Sequence, residues 1–301
     1  MNILILGAGA IGSLFGGLLS KKNNVLLVGR KSHIKAIKEN GLKITGKTRL
    51  NVKISAEDLI KKITFSPDLL ILTVKSYDTE IAVKEAKSII GNNTVVLPLQ
   101  NGLDNIDKIE KIIGREKIIA GVTTHGTFFP KPGVIKHTGK GETILGELDG
   151  EKTERIKHIK DLFNEAGIET KISTNIIREI WVKTVINSSI NPLTTFFQCK
   201  NGYLLENSIL ENLVEKICKE STEVANSEGL NLSYQNMIKK TKEVIQKTSE
   251  NHSSMLQSFK KGGKTEIDSI NGKIVDLGKR NGLETPINEM LVYSIKSICG
   301  D

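Results

Sequence analysis

The amino-acid sequence predicts a mixed α/β protein in two parts, a parallel sheet covered by helices and then a domain of helices alone. Three observations carry this. Up to about Ser173, short continuous apolar runs alternate with helical periodicity, as strands buried on both faces alternate with their covering helices. The first run ends in Gly7-Ala8-Gly9-Ala10-Ile11-Gly12, a glycine pattern that turns a strand directly into a helix. After Ser173 no strand-like run recurs. The boundary is therefore placed there, with residues 1–173 as the α/β domain and 174–301 as the helical domain.

The elements follow in order. Residues 2–6 are apolar throughout and read as a strand buried on both faces. Residues 10–21 read as a helix, 24–29 as a second strand and 32–40 as a second helix, with Ser32 as N-cap and Gly41 as its stop. A hairpin is expected near Gly46. Buried strands at 69–74 and 94–98 are each followed by a helix, at 78–90 and 104–113. From Gly121 to Gly146 the glycine-punctuated runs VTTHGTFF, GVIKHT and ETILGEL read as a small antiparallel extension at the sheet edge. A helix at 153–166 and a strand at 169–172 close the first part. The second part reads as helices at 177–197, 209–228, 234–248, 254–261, 265–282 and 287–298.

Composition narrows the classes. With 301 residues, 38% hydrophobic and 26% charged, the chain has ample material for a buried core, which excludes wholesale disorder and collagen. The net charge of +9 invites nucleic acid, but 37 of the 43 basic residues are Lys and aromatics are only 4%. Arg reads bases and phosphates better, and stacking needs aromatics, so a solvated basic surface is the expectation and nucleic acid is not. No run of about 18 apolar residues occurs, so no membrane span is expected. The start, MNILILGAG, lacks the basic flank and cleavage site of a signal peptide. Cys199, Cys218 and Cys299 are odd in number and far apart, which fits a reducing cytoplasm. The five His residues show no metal-ligand spacing, so no metal is expected.

The glycine pattern carries the first chemistry. Gly7 permits the tight turn, Gly9 lets a pyrophosphate approach the backbone, and Gly12 allows the helix to pack closely. The helix N-terminus then offers unpaired N–H groups and a positive dipole end to the phosphates, with Ala8, Ala10 and Ile11 in the same loop. At the end of the second strand an acid would hold the ribose of NAD. This chain has Gly29-Arg30-Lys31 instead, and a cation there suits the 2′-phosphate of NADP. The sequence is thus that of a Rossmann-type dinucleotide-binding domain.

Lys75 and Asn101 each follow a buried strand, where open α/β sheets bind ligands. Alone, Lys75 is as readily a solvated lysine, and Asn101-Gly102 an ordinary turn. In the helical part, Lys183, Asn187 and Asn191 are four residues apart and share a helix face. Alone, that stripe is as readily the solvent side of an amphipathic helix. Ser254 reads as a helix cap and Glu266 as a first-turn acid.

The set GAGAIG, Arg30, TVKSYDT, LPLQNG, GVTTHG, WVKTVINSSINPLT, KNG, HSSMLQ and KTEIDSINGKIV, in this order over essentially the whole chain, resembles the ketopantoate reductases. The resemblance implies NADPH-dependent reduction of a branched 2-keto acid, 2-dehydropantoate, on the route to pantothenate and coenzyme A. It implies Lys183 as general acid, with Asn187, Asn191, Asn201 and Ser254 holding the substrate. It places NADP contacts on Gly7 to Gly12, Arg30, Lys75, Asn101, Thr127 and Glu266, Asn101 also lying near the substrate and Thr127 acting through its backbone. It admits monomers and a homodimer built on the helical domain. A reductase of another 2-keto acid, or an NADP-sensing protein without catalysis, are the alternatives. The second has no need of a proton donor.

Overall fold

The apolar run at the N-terminus is strand β1 (Asn2–Leu6), and both its faces are buried: Ile3 and Ile5 pack on one side of the sheet, Leu4 and Leu6 on the other. Side chains alternate along a strand, so a central parallel strand needs apolar residues at every position. The computed structural model describes residues 1–299. The chain divides into two units, one of Met1–Gln100 with Asn105–Glu179 and another of Asn101–Asp104 with the residues from Ile180 onward.

In the first unit β1 leads to helix α1 (Ala10–Leu19), strand β2 (Asn24–Val28) and helix α2 (Lys31–Asn40). The hairpin β3 (Leu42–Gly46) and β4 (Leu50–Val52) and strand β5 (Ser55–Glu57) follow. Next come β6 (Leu69–Leu72), helix α3 (Thr79–Ala86), β7 (Val95–Pro98) and helix α4 (Asn105–Ile113). Five of these strands form one parallel sheet in the order β5-β2-β1-β6-β7. The order reverses between β1 and β6, so loops leave their C-terminal ends in opposite directions; open α/β sheets bind ligands at such a switch point. Gly41 ends α2 with φ +76°, a conformation that side chains rarely adopt. The expected cap of α2 is corrected: Arg30 is the N-cap, with no side-chain cap bond, and Ser32 is already helical.

The expected extension is corrected as well. Strands β8 (Ile119–Thr123) and β11 (Thr143–Glu147) pair antiparallel, and β12 (Thr170–Ile172) joins β11 in parallel, with helix α5 (Glu154–Glu165) between them in sequence. Strands β9 (Gly126–Lys131) and β10 (Val134–Gly139) instead join the β3–β4 hairpin, in the order β4-β3-β10-β9. Hairpin β3–β4 leaves the outer edge of β3 unpaired, and β10 covers that edge in parallel. Alternation in sequence shows that a strand exists but not which distant edge it covers. Thr153 caps α5, its Oγ1 accepting the Ile156 N–H at 3.4 Å. Phe163 of α5 meets Phe15 of α1 edge-on at 5.6 Å.

The second unit is helical: α6 (Ile176–Phe196, its first four residues counted with the first unit), α7 (Tyr203–Glu206), α8 (Ser208–Ser227), α9 (Tyr234–Lys247) and α10 (Ser254–Phe259). The single helix expected over 265–282 is a π turn at Asp268–Gly272 followed by α11 (Lys273–Arg280); α12 (Pro286–Cys299) ends the described chain. The core gathers Ile190 and Leu193 of α6, Leu210, Val214 and Ile217 of α8, Ile245 of α9 and Leu291 of α12. Thr184, Ser189 and Thr195 are buried in α6, and each returns its hydroxyl proton to the carbonyl one turn earlier, which is how a polar side chain survives inside a helical core. Among the described residues, no helix is long and apolar enough to cross a membrane.

Candidate active site

The glycine loop lies where β1 ends. Gly7 has φ +108°, and a Cβ there would stand 2.4 Å from the Val74 N, so the loop closes directly on the segment after β6. Thr73 reinforces this contact, its Oγ1 donating to the Gly7 carbonyl at 2.8 Å. A Cβ on Gly12 would meet the Gly7 carbonyl at 2.3 Å and Thr73 Oγ1 at 2.5 Å. Gly9 differs: an added Cβ meets nothing nearer than the Gly7 carbonyl at 3.9 Å. Its backbone therefore borders open space, the cradle that a pyrophosphate requires. The first turn of α1 carries no acidic residue, and its N-cap Gly9 has no side-chain cap, so its N–H groups suit an anion. Ala8 is buried and its N–H goes to the Val28 carbonyl at 2.7 Å; Ala10 and Ile11 are half-buried in the opening turn of α1.

Arg30 is exposed at the end of β2, its guanidinium 5.8 Å from the ring centroid of Phe129. On the neighbouring strand Glu57 sits opposite Val28 and has its carboxylate occupied by Lys38 at 2.7 Å and Lys62 at 3.6 Å. The residues present thus fit a phosphorylated ribose better than a bare diol. Behind Arg30, buried His33 accepts the Gly133 N–H on Nδ1 at 2.9 Å, so its Nε2 proton goes to Ser13 Oγ at 3.0 Å. Burial and the Arg30 charge lower the His33 pKa to about 4, which leaves a neutral imidazole tying α1 to the loop before β10.

Lys75 is half-buried and opens the turn Ser76–Asp78 beside the glycine loop. Thr127 lies on β9 opposite His137 of β10. No signal in the sequence marks Gln100, yet its Nε2 donates to the Val74 carbonyl at 2.9 Å and to Thr79 Oγ1 at 2.7 Å. It pins the C-terminal end of β7 to the chain after β6. Asn101–Asp104 belongs with the second unit, where the Leu103 N–H donates to the Ser269 carbonyl at 3.1 Å.

In the second unit Lys183, Asn187 and Asn191 all lie on α6, and Asn191 is only 5% exposed. Loss of solvent around the half-buried Lys183 pulls its ammonium from 10.5 to about 8, against the charge of Glu266, which pushes it back up. Glu266 is itself buried, just before the π turn. Asn201 follows α6 and is locked to the end of α9, its Nδ2 donating to Thr248 Oγ1 at 2.8 Å and its N–H to the Asn251 carbonyl at 3.0 Å. Its Oδ1 is buried and accepts no hydrogen bond. The expected cap of α10 is corrected by one residue: Ser253 accepts the Leu256 N–H at 3.2 Å and the Thr194 hydroxyl at 2.8 Å, whereas Ser254 is the exposed first helical residue. A serine pair is ambiguous in sequence; burial against α6 selects the first.

A parallel sheet with its glycine loop at the switch point, joined in one chain to a helical unit carrying a stripe of a half-buried lysine and two asparagines, defines a dinucleotide-binding oxidoreductase. The chain belongs to the ketopantoate reductase family. The family model described as ketopantoate reductase PanE/ApbA matches residues 3–150, and its C-terminal counterpart matches residues 175–298. A 2-dehydropantoate 2-reductase of Pyrococcus abyssi is 46% identical over 98% of this chain and 97% of its own. One from Aquifex aeolicus is 34% identical over 99% and 96%. Among solved structures, a D-mandelate dehydrogenase with NADH and anilino(oxo)acetate has a TM-score of 0.95 at 31% identity, covering 100% of this chain and 99% of that one. A PanE/ApbA family ketopantoate reductase from Ralstonia eutropha has a TM-score of 0.92 at 29% identity, with the same coverage.

Proposed function

We propose that the chain reduces 2-dehydropantoate to pantoate with NADPH, with Lys183 as proton donor. The observation that carries this is the Lys183–Glu266 relationship: an ammonium brought to about 8 by burial is still charged at neutral pH and gives up its proton readily. The family relationship supplies the substrate class. NADPH, when bound, supplies the hydride that adds to the C2 carbonyl carbon. Lys183 meets the negative charge that then develops on the carbonyl oxygen and donates the proton that makes it a hydroxyl. Asn187, Asn191 and Asn201 orient the substrate's carboxylate and hydroxyl groups by hydrogen bonds without adding competing charge, with Ser254 beside them. Gly7 to Gly12, Lys75, Asn101 and Thr127 hold the dinucleotide, Arg30 holds its 2′-phosphate, and Glu266 both contacts the ribose and keeps Lys183 protonated.

A second reading, reduction of another 2-keto acid, is favoured by the likeness to D-mandelate dehydrogenase. A panel of keto acids, compared by kcat/KM with NADPH and with NADH, separates the two. Best efficiency with 2-dehydropantoate supports the first reading, and a preference for an aryl keto acid with NADH replaces it. The proposal also places the protein in the cytoplasm, as the odd, scattered cysteines suggest, and includes a homodimer, which sedimentation of the purified protein tests.

A further inference from the structure

Pro192 lies inside α6 and has no N–H, so the carbonyl of Ser188, one turn earlier, loses its helical donor. The gap falls within the polar stripe, because Asn187 and Asn191 are the residues immediately before Ser188 and Pro192. Asn271 closes it. Its Nδ2 donates one hydrogen to the Ser188 carbonyl at 3.1 Å and the other to Asn288 Oδ1 at 2.9 Å. Both asparagines are fully buried.

The direction of this chain of amides is set at its far end. The Glu220 carboxylate can only accept, and it takes the Ile287 N–H at 3.0 Å, the Asn288 N–H at 2.9 Å and Asn288 Nδ2 at 2.8 Å. Asn288 therefore turns its Oδ1 toward Asn271, and Asn271 turns its NH2 toward α6. Flipping either amide would set acceptor against acceptor.

Asn271 also belongs to the π turn Asp268–Gly272, a geometry frequent at functional sites. That turn is tied back to Glu266, whose carbonyl accepts the Ile270 N–H at 3.2 Å. It is tied to the Asn101 loop as well: Ser269 Oγ donates to Asp104 Oδ2 at 3.3 Å, and a Cβ on Gly102 (φ +102°) would strike Ser269 Cβ at 2.8 Å. One turn thus registers the Asn101 loop, Glu266 and the stripe on α6.

We infer that Asn271 is a positioning residue: by donating to the carbonyl that Pro192 leaves open, it holds Asn187 and Asn191 in register with the segment bearing Glu266. This rests on α6 being the substrate-holding helix of the proposed reductase. Wild-type turnover tests that reading by itself, whereas the ratios among variants test the positioning.

The experiment is a double-mutant cycle of Asn271→Ala and Pro192→Ala, read as kcat and KM with 2-dehydropantoate and NADPH. Pro192→Ala returns an N–H to the Ser188 carbonyl, and its kcat/KM is expected within about threefold of wild type. Asn271→Ala alone is expected to lose about 100-fold in kcat/KM for the keto acid, with an unchanged NADPH Kd by fluorescence titration. In the double variant most of that loss returns, because the helix now supplies the donor. Asn271→Asp, the same size but turning an acceptor to the carbonyl, stays slow in both backgrounds. A near-wild-type Asn271→Ala, or a double variant as slow as Asn271→Ala, overturns the inference. If Asn271→Ala fails to fold, the double variant decides: folding with restored turnover supports the inference, and failure to fold there too overturns it.

Discussion

Glu266 holds the ammonium of Lys183 up while burial pulls it down, and the balance leaves that group at about 8. Without the carboxylate only the downward pull remains. Glu266→Gln is therefore expected to lower the Lys183 pKa further. The acid form is the active one, so efficiency falls as pH rises through that pKa, and the alkaline limb of the wild-type kcat/KM profile is expected near pH 8. In Glu266→Gln the limb moves to lower pH. A limb that stays in place removes Glu266 from this role.

The second and third glycines of the loop behave differently when methylated. Gly12→Ala drives a Cβ to 2.3 Å from the Gly7 carbonyl and is expected to cost about 1–3 kcal/mol of stability as well as NADPH binding. Gly9→Ala puts its Cβ into open space, so the urea midpoint stays near wild type while the NADPH Kd rises about tenfold or more, from the methyl standing where the pyrophosphate approaches. Equal stability losses in both would contradict the cradle.

Glu57, the acid paired across the sheet with Val28 near Arg30, is engaged by Lys38 and Lys62. Arg30→Ala is expected to raise the NADPH KM about tenfold, the worth of a charge-assisted hydrogen bond, and to leave the NADH KM nearly unchanged. Parallel losses for the two cofactors would show that Arg30 does not read the phosphate.

His33 is held neutral, its pKa near 4 in the fold against 6.5 when unfolded. Its folded pKa is the lower of the two, so the unfolded chain binds the proton first and stability declines as pH falls from about 6.5 toward 4, by up to roughly 3 kcal/mol. Urea midpoints across that window, with the His33 ring resonance followed by NMR, check this. A ring that titrates near 6.5 would show that the imidazole bridging Ser13 and Gly133 is not sealed from solvent.

Local rules made much of the fold legible. β1, α1, β2 and the stop at Gly41 follow from apolar runs and glycine positions, because those signals lie within the elements themselves. The pairing of β10 with β3 does not, since a parallel partner about ninety residues away leaves no local trace. The site divides in the same way. Lys183, Asn187 and Asn191 declare a shared face by their spacing, but Glu266's effect on Lys183 exists only once the chain has folded. Pro192 did carry a readable signal: a proline inside a helical pattern requires an outside donor for the carbonyl four residues earlier. The sequence holds no clue that the donor is Asn271, nor that Glu220, through Asn288, decides which way its amide turns.

The most direct measurement is the loss of the NADPH absorbance band on adding 2-dehydropantoate, run at neutral pH with wild type and with Lys183→Ala. Wild type is expected to consume NADPH. Lys183→Ala is expected to do so about 100- to 10,000-fold more slowly, with its NADPH Kd unchanged. Turnover by Lys183→Ala at a rate near wild type would contradict the assignment of Lys183 as proton donor, and no consumption by wild type would contradict the reductase itself.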